Sequence, residues 1–288
     1  MEAWVQQQLG SAVVRRRSVA GGCSHSAWQL HLADGRQVFA KTNHASALPL
    51  LAAEAEGLKA LAPWAQPPLQ LPQPLALGVS AGQAVLLLSW LELLPSGGSP
   101  GEWRRLGGAL AALHRASSTE ARSFGFPSDN YIGGTLQPNG WLDHWGRFFV
   151  ERRLAPQLAL AAQRGLALAQ GQALLDRAAE LLDGHGCGAA LVHGDLWSGN
   201  AGLLVDGGVA LFDPAVYWGD REVDLAMARL LGGFPESFFA GYQVEWPLPP
   251  TSCHRTPLYN LYHLLNHANL FGGSYRNQVE AQVASLLT

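Results

Sequence analysis

The stretch that decides the fold is His193-Gly194-Asp195-Leu196-Trp197-Ser198-Gly199-Asn200, which is followed by Phe212-Asp213-Pro214. Asp195 and Asn200 share one predicted loop, and a predicted β-hairpin separates them from Asp213. Carboxylate and amide oxygens are hard ligands, which Mg²⁺ binds while it keeps several of its waters. An aspartate can also accept the proton of an attacking hydroxyl group. The ordered set therefore predicts phosphoryl transfer, with Asp195 as the base and Asn200 and Asp213 as metal ligands.

A lysine and a glutamate upstream of this stretch are placed to hold the phosphates of a nucleotide. Lys41 ends a predicted strand at 36–41, and the chain of 288 residues contains only one other lysine, Lys59. Glu54 lies on the predicted helix that follows, where it can hold the Lys41 side chain by an ion pair. Glu56 points to another side of that helix, and we expect it to be solvated.

Two further segments complete the predicted nucleotide site. A glycine-rich turn one strand before Lys41 lets backbone N–H groups cradle phosphate. Its residues are Gly21, Gly22 and Ser24. The apolar run at 86–92 is expected to end at a hinge, where backbone groups hydrogen-bond adenine. The hinge residues are Ser89, Trp90 and Leu91. These features predict ATP and Mg²⁺ as cofactors.

The predicted elements divide the chain into two unequal lobes. Residues 1–92 are predicted to form a β-rich, ATP-binding lobe with one helix at 50–61, and residues 93–288 a larger helical lobe that carries the catalytic stretch. The linker-like residues 95–101 lie near the boundary, and a cleft is expected between the lobes. The predicted strands of the first lobe are 26–32, 36–41, 75–79 and 83–91. The predicted helices of the second are 102–116, 142–163, 170–182, 222–231, 235–243, 257–269 and 274–287.

Several sequence blocks outside the catalytic stretch distinguish one protein family more specifically than the chemical groups described so far. They are Glu54-Ala55-Glu56-Gly57-Leu58, Phe124-Gly125-Phe126-Pro127, Asp129-Asn130-Tyr131-Ile132-Gly133, Gln137-x-Asn139-x-Trp141, Tyr217-Trp218-Gly219-Asp220-Arg221-Glu222-x-Asp224 and Tyr259-Asn260-Leu261-Tyr262-His263-Leu264-Leu265-Asn266-His267. With them the chain resembles the fructosamine kinase (ketosamine-3-kinase) family, relatives of the aminoglycoside and choline kinases. The resemblance spans nearly the whole chain.

The resemblance implies an α+β, bilobal protein-kinase-like fold, with a small β-rich N-lobe and a larger helical C-lobe. It implies ATP-dependent phosphorylation of the 3-hydroxyl of a ketosamine, the adduct formed when a sugar glycates an amine. The phosphorylated ketoamine is unstable and releases the amine, so the outcome is deglycation. By the same resemblance Asp195 is the base, Asn200 and Asp213 bind Mg²⁺, and Lys41 with Glu54 positions the ATP phosphates.

Four residues are candidates for substrate binding, each with a structural alternative. Trp218 could cover the apolar side of a sugar ring or serve ordinary lobe packing. Asp220 could bind substrate ammonium or hydroxyl groups or cap the following helix, and capping is favoured slightly. His263 and His267 share a helical face and could line the substrate pocket or serve helix packing; a third metal ligand is missing from the sequence pattern.

Composition and charge limit the other functions. A net charge of −3 argues against a nucleic-acid binder, and Arg15-Arg16-Arg17 is interpreted as a solvated strand edge. Residues 1–20 show no secretory signal and no apolar run is long enough for a membrane span, so we expect a cytoplasmic protein. The three cysteines suggest neither a zinc pattern nor a disulfide framework, and a monomer is expected. Cys23, in the phosphate turn, is a candidate for an oxidative intermolecular disulfide or a small half-buried filler.

Three other functions remain open. The chain could phosphorylate another small alcohol such as an aminoglycoside, choline or a free sugar. It could also be an ATP-binding regulator without catalysis, although Lys41, Asp195, Asn200 and Asp213 are all present. A nucleotide hydrolase would turn over ATP without an acceptor. The sequence does not identify the ketoamine, or whether it is free or protein-bound.

Overall fold

The computed structural model describes residues 1–19, 25–95, 97–120 and 123–288. An antiparallel five-stranded sheet forms most of the first part of the chain, and helices form most of the second. The strands are β1 (Val13–Val19), β2 (Ser26–Leu32), β3 (Gln37–His44), β4 (Leu69–Gln70), β5 (Pro74–Ser80), β6 (Gln83–Ser89), β7 (Asn130–Ile132), β8 (Thr135–Gln137), β9 (Ala190–Val192), β10 (Ala201–Leu203), β11 (Val209–Leu211) and β12 (Tyr217–Gly219).

Two of the described α-helices precede residue 62, and the others lie in the second part of the chain. The helices are α1 (Glu2–Leu9), α2 (Leu48–Leu61), α3 (Pro100–Ser117), α4 (Trp145–Phe148), α5 (Ala155–Gln163), α6 (Gly171–Leu182), α7 (Glu222–Leu230), α8 (Glu236–Glu245), α9 (Ser252–Phe271) and α10 (Ser274–Leu287).

The five-stranded sheet has the order β1-β2-β3-β6-β5 and separates two small apolar cores. One core joins the sheet to α1 through Val5, and the other joins it to α2 through Leu51 and Leu58. β1 is an edge strand, and its arginines are exposed as expected from a solvated edge. Because side chains alternate across a strand, β3 presents Phe39 and Lys41 on the same face.

Short strands connect the two parts of the chain. β4, which precedes the predicted boundary at 92/93, pairs in parallel with β11 from the second part. Leu94 also donates a backbone hydrogen bond to Leu203 at 2.8 Å. The first part therefore contributes a strand to a sheet of the second, and the boundary at 92/93 stays a prediction.

The helix that follows the linker-like stretch begins at a capping box. Ser99 Oγ accepts a hydrogen bond from Glu102 N at 3.3 Å, and Glu102 Oε2 accepts one from Ser99 N at 2.7 Å. This reciprocal pair satisfies the N–H of Ser99 and adds to the backbone hydrogen bond from Glu102 N to Ser99 O at 3.0 Å. The end of the linker-like stretch thus defines the start of α3.

The prediction of one helix over 142–163 was wrong in its start and its regularity. Helix α4 begins at Trp145, and Phe149–Leu154 form a π-helical turn before α5. Pro156 has no N–H to donate to the carbonyl of Arg152, four residues earlier. That carbonyl instead accepts a hydrogen bond from Arg153 Nη1 at 3.0 Å, and Ala155 N bonds to Val150 O. The proline explains why the helix widens here.

The predicted start of the long C-terminal helix was also wrong. Pro257 was placed at its first turn, whereas α9 begins at Ser252 and includes Pro257. The first four N–H groups of a helix have no intrahelical partner, so a proline shortly after them removes only one backbone bond. Tertiary burial of α9 outweighs that cost, since Leu258, Leu261 and Leu265 are fully buried.

Helices α3 and α8 cross closely at Gly107 of α3 and Gly241 of α8, and this contact generates a stability prediction. A Cβ on Gly107 would overlap the carbonyl of Phe238 and lie 2.9 Å from Tyr242 N, whereas a Cβ on Gly108 meets only Gly241 O at 3.7 Å. Gly107→Ala should destabilise the protein by about 1–3 kcal/mol because two backbones must separate. Gly108→Ala is the matched control and should be neutral or stabilising by up to about 1 kcal/mol. Denaturant unfolding measures both, and equal effects would contradict the close crossing.

Candidate active site

A cavity of about 440 Å³ lies where the two parts of the chain meet. Lys41 lines it from β3, and Asn200 and Asp213 line it from the segments that follow β9 and β11. Three of the four groups on which the predicted chemistry depends therefore share one cavity. The other described residues that line it are Val19, His25, Ala27, Phe39, Pro72, Leu88, Ser89, Trp90, Leu91, Glu92, Leu93, Trp197, Gly199 and Phe212.

Lys41 is buried between two carboxylates from distant parts of the chain. Its Nζ lies 2.9 Å from both carboxylate oxygens of Glu54, and it also contacts Asp213 Oδ1. Burial opposes the charged lysine, but the two carboxylates more than offset it and hold the pKa of Lys41 above its usual value. The predicted Lys41–Glu54 pair is confirmed by this geometry. Glu56 is exposed, as expected, and accepts a hydrogen bond from Ser128.

Asp213 adopts a backbone conformation that is rare for an aspartate. Its φ is +57°, in the left-handed region, and its side chain is about one-third exposed toward the cavity. Burial would raise the pKa of Asp213, but the Lys41 ammonium prevails and lowers it, so the carboxylate is ionised. An ionised, partly accessible carboxylate is suited to bind a cation.

The loop after β9 brings Asp195 and Asn200 together. Asn200 Nδ2 donates to Asp195 O at 2.9 Å and lies 3.3 Å from Asp195 Oδ2. Within the described residues every side-chain hydrogen bond of Asn200 uses Nδ2, which leaves Oδ1 available to a metal. Burial, with the nearby Asp213 carboxylate, raises the pKa of Asp195 to about 7. A carboxylate with that pKa is suited to proton transfer near neutral pH.

Asp224 fixes the backbone of this loop. Its carboxylate accepts hydrogen bonds from His193 N at 2.7 Å and Gly194 N at 2.8 Å, as expected for a structural residue. His193 lies 3.0 Å from Phe212 O through Nε2 and accepts a long contact from Asp195 N, so it also joins the loop to the segment that carries Asp213. Burial lowers the pKa of His193, which favours the neutral ring required by these contacts.

A hairpin specific to the resemblance supports the segment after Asp213. Asn130 Nδ2 donates to Val216 O at 2.7 Å, and Gln137 Nε2 donates to Ala215 O at 3.1 Å. Tyr262 OH in turn donates to Gln137 Oε1 at 2.7 Å. The residues of these sequence blocks therefore hold the backbone that directly follows Asp213, although they lie outside the described lining of the cavity.

All three predicted hinge residues line the cavity. Ser89 uses its Oγ to accept a hydrogen bond from Gln73 N at 2.8 Å, and Trp90 packs against Phe39 with ring centroids 6.2 Å apart. The sequence reasoning missed Phe39, although its position two residues before Lys41 indicates the same strand face. Phe212, which precedes Asp213 in the quoted stretch, also lines the cavity, and the sequence predicted no role for its side chain.

The predicted phosphate turn lies outside the described residues. Its residues are Gly21, Gly22, Cys23 and Ser24. His25, the first described residue after them, lines the cavity and lies 2.9 Å from Asn43 Nδ2 through its Nδ1.

The four predicted substrate residues lie away from the described lining of the cavity. Trp218 is half-buried and packs edge-to-face on Trp64, with ring centroids 6.3 Å apart. Asp220 is buried, and its Oδ1 accepts a hydrogen bond from Glu222 N in the first turn of α7. This contact favours the capping alternative for Asp220, and the substrate roles of Trp218 and Asp220 stay predictions.

The two histidines of α9 pack differently although they share a helical face. His263 is buried, its Nδ1 has no hydrogen-bond partner in the described part of the chain, and burial lowers its pKa to about 3. His267 lies 2.7 Å from the carbonyl of His263 through its own Nδ1 and contacts the rings of Phe271 and Tyr275. Because this nitrogen faces the helix backbone, the arrangement does not favour a shared metal, and substrate contact stays a prediction.

No helix in the described ranges combines the length and the apolar character that crossing a membrane requires.

Sequence comparison gives matches along the entire chain. The profile of the family described as "Fructosamine kinase" matches residues 1–288. A "Probable ketoamine kinase" of Synechocystis sp. is 45% identical over 276 residues, which cover 96% of this chain and 91% of that protein. The chloroplastic "Protein-ribulosamine 3-kinase" of Oryza sativa subsp. indica is 36% identical over 264 residues, which cover 90% of this chain and 75% of that protein.

Solved structures extend the match to the fold. A crystal structure from Haemophilus somnus 129PT, assigned as a fructosamine-3-kinase, has a TM-score of 0.89 and 27% identity, and the match covers 100% of this chain and 96% of that one. Aminoglycoside phosphotransferase APH(4)-Ia with ADP and hygromycin B has a TM-score of 0.65 and 16% identity, over 99% and 98% of the two chains. This second likeness concerns the fold alone, and it confirms the predicted α+β, bilobal protein-kinase-like architecture. The chain belongs to the fructosamine kinase family.

Proposed function

We propose that this kinase transfers the γ-phosphoryl group of ATP to the 3-hydroxyl of a ketosamine and thereby starts deglycation. The observation that carries the proposal is the convergence of Lys41, Asn200 and Asp213 on one cavity, with Asp195 hydrogen-bonded beside it. Phosphoryl transfer depends mainly on positioning and charge stabilisation, and these four groups supply both. The boundary between the lobes is proposed at 92/93, next to the hinge residues of the cavity.

The nucleotide is proposed to enter with adenine at the hinge and phosphates toward Lys41. Apolar and aromatic side chains such as Leu88, Trp90 and Phe39 offer a surface for a flat base. Lys41 is already held by Glu54, so its ammonium is positioned before a phosphate arrives. Gly21, Gly22 and Ser24 are proposed to complete the phosphate contacts from the turn before β2.

The donor set at the inner end of the cavity fits Mg²⁺. Asp213 provides an ionised carboxylate and Asn200 an amide oxygen, and Mg²⁺ needs only one or two such groups beside phosphate oxygens and water. When bound, the ion neutralises charge on the phosphates. Lys41 and Asp213 contact each other directly, so phosphate and metal can each replace one partner of that contact while Glu54 keeps Lys41 in place.

Asp195 is proposed to accept the proton of the substrate hydroxyl. Its raised pKa predicts that the carboxylate form is lost as the pH falls through about 7. The acceptor kcat/KM should therefore rise with pH across this range and reach a plateau above it. Asp195→Asn should lose at least ~10²-fold in turnover and the pH-dependent limb. A near-normal rate in this variant, measured by coupled ADP release, would show that Asp195 is not the base.

The substrate class rests on family membership and on the relatives named above. A ketosamine carries a hydroxylated chain and an amine, and the proposed contacts are Trp218 for the sugar face and His263 and His267 for polar groups. The hydrogen bond from Glu222 N favours capping of α7 for Asp220 over a substrate contact. Phosphorylation at the 3-hydroxyl destabilises the adduct and releases the amine. Trp218 contacts Trp64 of the first lobe, so it lies where a substrate could meet both lobes.

An acceptor screen distinguishes the proposal from its competitors. ADP release should require a fructosamine, ribulosamine or erythrulosamine, with no activity on aminoglycosides, choline or free sugars. The position of the phosphate follows from NMR of the product, and amine release follows from its decay. Activity on an aminoglycoside but on no ketoamine would overturn the substrate class. Equal ADP release without any acceptor would identify a nucleotide hydrolase instead.

A further inference from the structure

A histidine, a cysteine and an aspartate meet on the second lobe, outside the described lining of the nucleotide cavity. His185 and Cys187 lie in the loop between α6 and β9, and Asp220 lies just before α7. The ligand atoms of the three side chains all lie within 4.8 Å of one another, and His185 Nε2 is 2.8 Å from Asp220 Oδ2. His185 and Cys187 are partly exposed, so the cluster is open to solvent on one side.

The aspartate of this cluster is held in a fixed orientation. Tyr259 OH donates to Asp220 Oδ2 at 2.7 Å, and Trp145 Nε1 donates to the same hydroxyl at 3.0 Å. Glu222 N binds the other oxygen, Oδ1, at 3.1 Å. Hydrogen bonds of this kind orient the ligands of protein metal sites, and the loss of one typically weakens metal binding by about 10–100-fold.

The local charge balance favours a cation. Glu222 is neutralised by Arg255, whose Nε and Nη2 lie 2.8 and 2.6 Å from its two carboxylate oxygens. Asp220 has no such guanidinium partner among the described residues, and its direct partners are the hydroxyl of Tyr259, the imidazole of His185 and a backbone N–H. A buried carboxylate without a fixed positive partner is costly, and a divalent ion would relieve that cost.

We propose that His185, Cys187 and Asp220 bind Zn²⁺ or a chemically similar borderline-soft divalent ion, with water as the fourth ligand. Nitrogen, sulfur and oxygen donors in one cluster match the ligand preference of zinc better than that of Mg²⁺ or Ca²⁺. The site is separate from the proposed magnesium position, which uses Asn200 and Asp213 and contains no sulfur.

Only small movements are needed to reach zinc geometry. Ligand atoms around a tetrahedral zinc lie roughly 3.3–3.8 Å apart, given metal–ligand distances of about 2.0–2.3 Å. His185 Nε2 and Asp220 Oδ2, now 2.8 Å apart, must move slightly apart, and the sulfur of Cys187 already lies within 4.8 Å of both. The loop can adjust because Gly184, Gly186 and Gly188 have open space at their Cβ positions. On binding, the thiol proton passes to solvent, and a neutral His185 keeps one ring proton on Nδ1.

The bound ion would join the loop before β9 to the start of α7. β9 leads directly into the loop of His193 and Asp195. α7 carries Asp224, which accepts a backbone hydrogen bond from His193 in that loop after β9. Zinc at this position is thus expected to stabilise the framework of the catalytic loop without contacting the reacting groups.

Cobalt substitution tests the site in the full-length protein. Chelator-treated protein without nucleotide should bind one equivalent of Co²⁺ with a thiolate-to-cobalt charge-transfer band, and Zn²⁺ should displace it and raise the Tm. Cys187→Ser and His185→Ala should each abolish the band. Cys253→Ser, which removes the exposed cysteine near Pro250, is the matched control and should keep it. Asp213→Ala should keep it as well, because it alters only the proposed magnesium site.

Tyr259→Phe tests the hydrogen bond that orients Asp220. It removes one hydrogen bond to Asp220 and should weaken Co²⁺ binding by about 10–100-fold while the band remains. Circular dichroism verifies that each variant is folded, and His185→Ala, a partly exposed position, serves if Cys187→Ser does not fold. Absence of the band in the wild type, or its persistence in both ligand variants, would overturn the proposal.

Discussion

The buried ammonium of Lys41 is the interaction on which the rest of the site depends. Taking a lysine out of water is unfavourable unless opposite charges accompany it, and here two carboxylates do so. One comes from α2 of the first lobe, and the other, Asp213, from the end of a hairpin in the second. The same ion cluster therefore contributes charge to the cavity and links the lobes, and the proposed phosphate position lies where they meet.

Hydrogen bonds from other elements hold the backbone near Asp195 and Asp213 in place beside this ion cluster. Asp224 binds two N–H groups of the loop that carries Asp195, and the β7–β8 hairpin binds the carbonyls of Ala215 and Val216. The loop and the segment after β11 are thus fixed independently, and His193 joins them. Such preorganisation is what phosphoryl transfer requires, because the protein contributes position and charge and little covalent chemistry.

The sequence predicted the groups whose spacing is local and missed those whose meeting depends on tertiary packing. Asp195, Asn200 and Asp213 lie on one loop and one hairpin, so their order alone indicates a shared site, and a strand followed by a helix was enough to pair Lys41 with Glu54. The predicted start of α9 was wrong because burial of the helix outweighs the tendency of Pro257 to stand at a helix start. The cluster of His185, Cys187 and Asp220 was missed because the aspartate comes from a different element, beyond β9 and β12. The substrate contacts could not be derived from the sequence. Asp220 and His263 are buried by packing between distant elements, and hydrophobic periodicity within one helix does not predict such packing.

The most direct measurement of the central claim compares the only two lysines of the chain. Lys41 is buried in the ion cluster, and Lys59 is exposed near the end of α2. Lys41→Met should lower kcat by about 10²–10³-fold and weaken binding of Mg-ATP, because the positioned ammonium is lost, while Lys59→Met should match the wild type in both. If Lys41→Met, folded by circular dichroism, kept wild-type turnover and nucleotide affinity, the site as described here would be contradicted.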